Sequence, residues 1–119
     1  MKSILLIEDD PFLSNIYVIK LEEAGFNVNA LLSGKEALKE IEEKRPDLIL
    51  LDIVLPDISG WEILEQIKKN PEIKSKIMIL SNLGQKEDKE KGLKMGADYY
   101  LIKAYYTPTE LVEEIKKII

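Results

Sequence analysis

The sequence predicts an α/β fold, a three-layer sandwich in which helices cover both faces of a five-stranded parallel sheet. Three observations predict it. Four short runs, Ile4 to Ile7, Leu48 to Leu51, Ile77 to Leu80 and Tyr99 to Ile102, are apolar at every position, as strands buried on both faces are. A fifth run, Asn27-Val28-Asn29-Ala30-Leu31, alternates polar and apolar residues, which suits an edge strand with one wet face. Segments of helical period separate the runs, so strand and helix alternate to the end of the chain, and right-handed crossovers then give a parallel sheet.

Each helix carries its own signals. Asp10 before Pro11 reads as an N-cap followed by a proline in the first turn. Leu13, Ile16, Tyr17, Leu21 and Ala24 then form an apolar stripe that Gly25 ends. The second helix is predicted from about Ser33 to Lys44, burying Ala37, Leu38 and Ile41 and stopping before Pro46. The third starts at Ser59 or Gly60, buries Ile63, Leu64 and Ile67, and closes at Asn70-Pro71. The fourth, about Lys86 to Met95, is rich in charge with a thin apolar face, and Gly96 ends it. The last begins near Pro108 and buries Leu111, Val112, Ile115, Ile118 and Ile119.

At 119 residues, the chain is expected to form a single domain over 1–119. An apolar content of 45% supports a real core. No apolar run approaches the roughly 20 residues of a membrane span, and no signal segment opens the chain, so the expectation is a soluble, cytoplasmic protein with no membrane contact. There is no cysteine and no histidine. Disulfides, thiolate nucleophiles, imidazole bases and zinc sites of sulfur or imidazole are thereby excluded. Any metal must be held by oxygen, which points to magnesium, calcium or manganese. With 22 acids, 17 bases and a net charge of −5, the chain has no basic footprint for nucleic acid.

In sheets of this kind, ligands bind beyond the carboxyl ends of the strands. Glu8, Asp9 and Asp10 follow the first strand, Asp52 the third, Ser81 the fourth and Lys103 the fifth. Acids gathered there would hold a hard cation. Without a cation or Lys103 nearby, their mutual repulsion would push protons onto some of them. With a divalent ion bound, an ionised Asp52 is a competent nucleophile for a phosphoryl group. Lys103 and the metal would offset charge on that group, and the Ser81 hydroxyl would hydrogen-bond it.

Four stretches in this order resemble the receiver domain of two-component response regulators: Ile4-Leu5-Leu6-Ile7-Glu8-Asp9-Asp10, Leu50 to Gly60 around Asp52, Ile79-Leu80-Ser81, and Gly96 to Lys103. The resemblance spans the chain from Ile4 to about Ile119. It implies a flavodoxin-like sheet of strand order 2-1-3-4-5 with five helices. It implies a phosphorylation-controlled switch, not an enzyme in the ordinary sense, that assists its own phosphorylation and slow dephosphorylation. Asp52 would be the phospho-acceptor. Asp9 would ligate Mg2+ directly (Mn2+ being an alternative), Glu8 largely through water, with Asp52 and the Val54 carbonyl completing the protein ligands. Ser81 would close on the phosphoryl group, Tyr100 would move inward with it, and Lys103 would pair with the phosphoryl oxygens. The donor would be a phosphohistidine on a histidine kinase or phosphotransfer protein, as in a phosphorelay. Output would pass to a downstream protein target through the face of helix four, strand five and helix five, with dimerisation on phosphorylation as one route.

The pattern departs from the family in places. Members usually carry proline after the lysine, often in a cis bond. Ala104 stands there instead, and a cis bond would then cost about 2.5–4 kcal/mol. The segment Lys103 to Pro108 is about one residue longer than usual. Asn82 replaces the small residue that usually follows the switch hydroxyl, and its bulk would restrict access to the phosphoryl group. Val54 and Leu83 stand at the positions that tune dephosphorylation, and neither can orient a water, so a long-lived phosphoryl group is expected.

Simpler roles suit the neighbouring residues. Asp10 reads as a cap, Asp57 as a turn residue, Trp61 and Tyr17 as packing, and Lys86 to Lys91 as a solvated helix face. Tyr105 and Tyr106 read as exposed aromatics beside the output face. Three other functions compete. An aspartate-nucleophile phosphatase would commonly carry a second acid where Val54 stands. A docking module without phosphorylation would not need the full set of acids, hydroxyl and lysine. A flavin-binding domain would not place acids in its phosphate loop.

Overall fold

The computed structural model describes residues 1–119. Its elements follow in the predicted alternation: β1 (Ser3–Ile7), α1 (Pro11–Glu23), β2 (Asn27–Leu31), α2 (Ala37–Lys44), β3 (Leu48–Leu51), α3 (Gly60–Lys69), β4 (Lys76–Ser81), α4 (Lys86–Lys94), β5 (Tyr99–Ile102) and α5 (Pro108–Ile118). The sheet order is β2-β1-β3-β4-β5, and every neighbouring pair is parallel. The Cα radius of gyration is 12.9 Å. No helix is long and apolar enough to cross a membrane.

Successive strand side chains point to opposite faces, and this divides the core in two. Leu5, Ile7, Ile49, Leu51, Ile77 and Ile79 pack with Ile41 of α2 and Ile63, Leu64 and Ile67 of α3. Ile4, Leu6, Leu48, Leu50, Met78 and Leu80 pack on the other face with Tyr17 and Leu21 of α1 and Leu111, Val112 and Ile115 of α5. Each fully buried leucine or isoleucine contributes roughly 1.5–3 kcal/mol. The unbroken apolar runs of β1, β3 and β4 are thus explained by burial on both sides.

The caps explain the helix limits. Asp10 accepts the Phe12 and Leu13 N–H groups at 3.0 and 3.3 Å, so its part is that of a cap. Ser59 caps α3 through the Trp61 N–H, and Thr107 with Glu110 forms a capping box for α5.

Four sequence expectations are corrected. α2 starts at Ala37, not Ser33, because residues 33–36 form a turn in which the buried Gly34 donates its N–H to Asp57 Oδ1 at 2.9 Å. Asp57 is therefore a tie between loops as well as a turn residue. β5 forms the second edge of the sheet, so of its four residues only Tyr100 is buried. Ile118 and Ile119 are half-buried because they lie at the open end of the last helix. Lys91 does not belong to a wholly solvated face: its ammonium lies 4.4 Å from the centroid of the half-buried Trp61 ring, joining α4 to α3.

Candidate functional site

The carboxyl ends of β1, β3, β4 and β5 bring the predicted polar residues to one end of the sheet. Backbone pairing continues just past the strands and fixes the two acids: Glu8 N–H donates to Leu31 O at 3.0 Å, and Asp52 N–H to Ile7 O at 3.1 Å. Glu8 and Asp52 are buried, 1% and 5% exposed, while Asp9 is exposed. One carboxylate oxygen from each of the three lies within 4.8 Å of the others.

Gly60 fixes the ground beneath Asp52. Its N–H donates to Ile53 O at 2.8 Å. A Cβ there would collide with the Asp52 carbonyl oxygen and stand 2.6 Å from Ile53 Cα. Both are backbone atoms that cannot give way, so only glycine lets α3 begin this close to the acid.

Lys103 reaches between the buried acids. Its Nζ is 2.5 Å from Asp52 Oδ2 and 2.5 Å from Glu8 Oε1. The remaining oxygens have backbone donors: Val54 N–H gives to Asp52 Oδ1 at 3.2 Å, and Asp10 N–H to Glu8 Oε2 at 3.0 Å. Burial pushes the Glu8 carboxyl above its usual range, although Lys103 opposes the rise. The Asp52 charge contributes least to that rise, so protons are favoured here chiefly by desolvation and only slightly by like-charge repulsion. For Lys103, burial lowers the ammonium pKa, but the hydrogen bonds and charges of Asp52 and Glu8 outweigh it and the net shift is upward.

A divalent cation fits this donor set. All donors are oxygens, as hard cations require. Glu8 Oε1 is buried against the Lys103 ammonium, beside an exposed aspartate with oxygens to spare. Val54 is 60% exposed next to this cluster.

Ser81 ends β4 and Tyr100 lies in β5. Ser81 is fully buried and sits opposite Ile102, one residue before Lys103. Its Oγ accepts the Leu83 N–H at 3.4 Å. Tyr100 is buried, and its hydroxyl donates to Leu83 O at 2.6 Å. Burial pushes that phenol up to about 12. Gly92 of α4 makes room for the ring, since a Cβ there would lie 2.8 Å from Tyr100 Cδ2 and 2.7 Å from Ile79 Cδ1. Leu83 is half-buried against the core, which leaves its side chain nothing polar to offer a water.

The loop after β5 holds the remaining surprises. All peptide bonds are trans, including Lys103–Ala104. The segment opens with a 3-10 turn over Lys103–Tyr105. Tyr105 is 72% exposed, but Tyr106, expected to be exposed, is half-buried at the end of that turn. Asn82 Oδ1 accepts the Ala104 N–H at 3.1 Å, a contact the sequence reading missed. The signal was present as an amide acceptor at 82 and a free N–H at 104.

The largest cavity, about 650 Å³, is elsewhere: Pro46, Ser75, Lys76 and Ile118 line it at the amino ends of the strands. The acidic cluster does not line it.

Comparison with known proteins bears on the family and the fold. A family model described as "Response regulator receiver domain" matches residues 4–116. The phosphate regulon transcriptional regulatory protein PhoB of Rhizobium meliloti is 35% identical over 120 residues, covering 100% of this chain and 52% of the relative. The alkaline phosphatase synthesis transcriptional regulatory protein PhoP of Bacillus subtilis is 34% identical over 118 residues, covering 99% of this chain and 48% of the relative. The chain thus spans about half the length of these curated relatives. The Francisella response regulator 1452 receiver domain superposes with a TM-score of 0.90 at 31% identity, covering 99% of this chain and 96% of that one.

Proposed function

Because this chain belongs to the response regulator receiver family, we propose that its phosphorylation-dependent switch works by transfer of a phosphoryl group to Asp52. The observation that carries the reading is the buried Glu8–Lys103–Asp52 cluster with Asp9 at its rim. An Asp52 carboxylate oxygen attacks phosphorus of a phosphohistidine on a partner kinase or phosphotransfer protein. The phosphorus–nitrogen bond breaks, and its electron pair returns to the imidazole. Lys103 would leave its contact with Asp52 and meet the new phosphoryl oxygens. Ser81, whose Oγ accepts the Leu83 N–H, would donate its own hydroxyl hydrogen to them. Tyr100 already points inward, held by Leu83 O.

Glu8, Asp9, Asp52 and the Val54 carbonyl would hold Mg2+, or Mn2+ with the same oxygen donors. Bound there, the ion supplies charge stabilisation for the transferring group. The domain 1–119 would act as one cytoplasmic unit whose α4–β5–α5 face meets a protein target or a second copy. The net charge of −5 supports the reading that nucleic acid is not contacted by this chain itself.

The test is intact-mass spectrometry after incubation with acetyl phosphate and magnesium. One phosphoryl adduct is expected, absent with EDTA and absent in Asp52→Asn. An adduct that persists in Asp52→Asn would overturn the assignment. Steady turnover of a phosphate ester would instead favour the phosphatase reading.

A further inference from the structure

Resting on the reading that Lys103 meets the phosphoryl group, we infer that Asn82 is a positioning residue for Lys103, acting through the Ala104 N–H. Pairing between β4 and β5 ends at Ser81 opposite Ile102. Beyond that point the tie between the two segments is a side-chain bond, Ala104 N–H to Asn82 Oδ1 at 3.1 Å. The bond joins the residue after Ser81 to the residue after Lys103, so it spans the two groups that would contact the phosphoryl oxygens.

Its chemistry suits the task. The first N–H groups of a helical turn lack partners within the turn. The 3-10 turn over Lys103–Tyr105 has no side-chain cap from its own preceding residue, Ile102. Asn82 supplies a cap from the neighbouring strand end. Capping fixes the backbone from which Lys103 projects, and the Lys103 ammonium must sit within 2.5 Å of two carboxylates at once. Small misplacements of a catalytic or charge-pairing group are costly, up to roughly a hundredfold in rate for about 1 Å. Asn82 itself is exposed and contributes no core packing, so its replacement leaves the two cores described above intact.

The experiment compares wild type, Asn82→Ala and Asn82→Asp. Amide exchange of Ala104 and the side-chain resonances of Lys103 are followed by NMR without metal or phosphodonor. In parallel, the rate of phosphorylation by acetyl phosphate is measured at saturating magnesium, together with magnesium affinity and thermal stability. In Asn82→Ala, Ala104 exchange should accelerate and the Lys103 resonances should shift. The phosphorylation rate should fall about three- to tenfold, the worth of one hydrogen bond, while magnesium affinity stays within about twofold. Asn82→Asp keeps the acceptor and should restore Ala104 protection and the Lys103 resonances. Unchanged Lys103 resonances and an unchanged rate in Asn82→Ala would overturn the inference. So would a drop in thermal stability with no movement of Lys103, which marks a merely structural bond. If wild type takes no phosphoryl group, the proposed function fails, and the NMR comparison still decides whether Asn82 positions Lys103.

Discussion

Replacing Lys103 with methionine removes the ammonium and keeps most of the largely buried stem. In the wild type that ammonium stands 2.5 Å from a carboxylate oxygen of each of two buried acids. At an effective dielectric of 20, each contact amounts to about 7 kcal/mol of attraction, most of it offset by the desolvation of the charges. Breaking such a buried set by removing one partner costs about 3–5 kcal/mol, against a typical total stability of about 5–15 kcal/mol. Protonation of Glu8 relieves part of that cost. Its folded pKa already lies above the 4.5 of the free side chain, chiefly through burial. An acid whose pKa rises on folding stabilises the fold below its unfolded pKa and loses that contribution as pH climbs through the folded value. Without Lys103 the folded value climbs further. In Lys103→Met, stability should therefore fall with pH above about 4.5 more steeply than in wild type. Urea unfolding followed by circular dichroism, in EDTA and at a series of pH values, measures this. The expected gap is about 3–5 kcal/mol near neutrality, narrowing toward acid. A variant as stable as wild type at neutral pH, or a gap that does not change with pH, would refute the reasoning.

Other outcomes follow from the same structure. Tyr100 titrates at about 12 folded against 10.0 free, so it contributes stability that is present below pH 10 and lost as pH rises to 12, about 2–3 kcal/mol in all; alkaline unfolding of Tyr100→Phe should lack that slope. Gly92→Ala adds a methyl group 2.7 Å from Ile79 Cδ1 and 2.8 Å from Tyr100 Cδ2. The overpacking, about 1–3 kcal/mol, should exceed the gain in helix propensity of about 1 kcal/mol, giving a net loss in urea unfolding and greater exposure of the Tyr100 ring. Because Val54 is exposed beside Asp52, Val54→Asn should let a water be oriented there and shorten the phosphoryl lifetime by about tenfold, as read by loss of the mass adduct.

Much of this molecule was legible because its signals are local. Three all-apolar strands announce burial on both faces, and Asp10 and Ser59 announce helix starts through hydrogen bonds within a few residues, as Pro108 does through its fixed φ. The cluster was legible because strands deliver residues to a sheet end at fixed register, which brings Glu8, Asp52 and Lys103 together with Ser81 at the same end of the sheet. What stayed hidden depends on contacts between distant segments. The late start of α2 is set by Asp57, 23 residues away. The half-burial of β5 follows from its place at the sheet edge, which an apolar run does not encode. The Asn82–Ala104 bond and the Lys91–Trp61 stacking join neighbours in space whose side chains are common on any surface.

Trp61 is the single tryptophan in the chain, and the ammonium of Lys91 lies over its ring. A positive charge over an indole face is a short-range perturbation of its emission, and the two partners ride on different helices. The protein thus carries its own optical ruler for the gap between α3 and α4. Should α4 shift when the acidic cluster is occupied or Asp52 is modified, the fluorescence would report it in real time from the unlabelled protein.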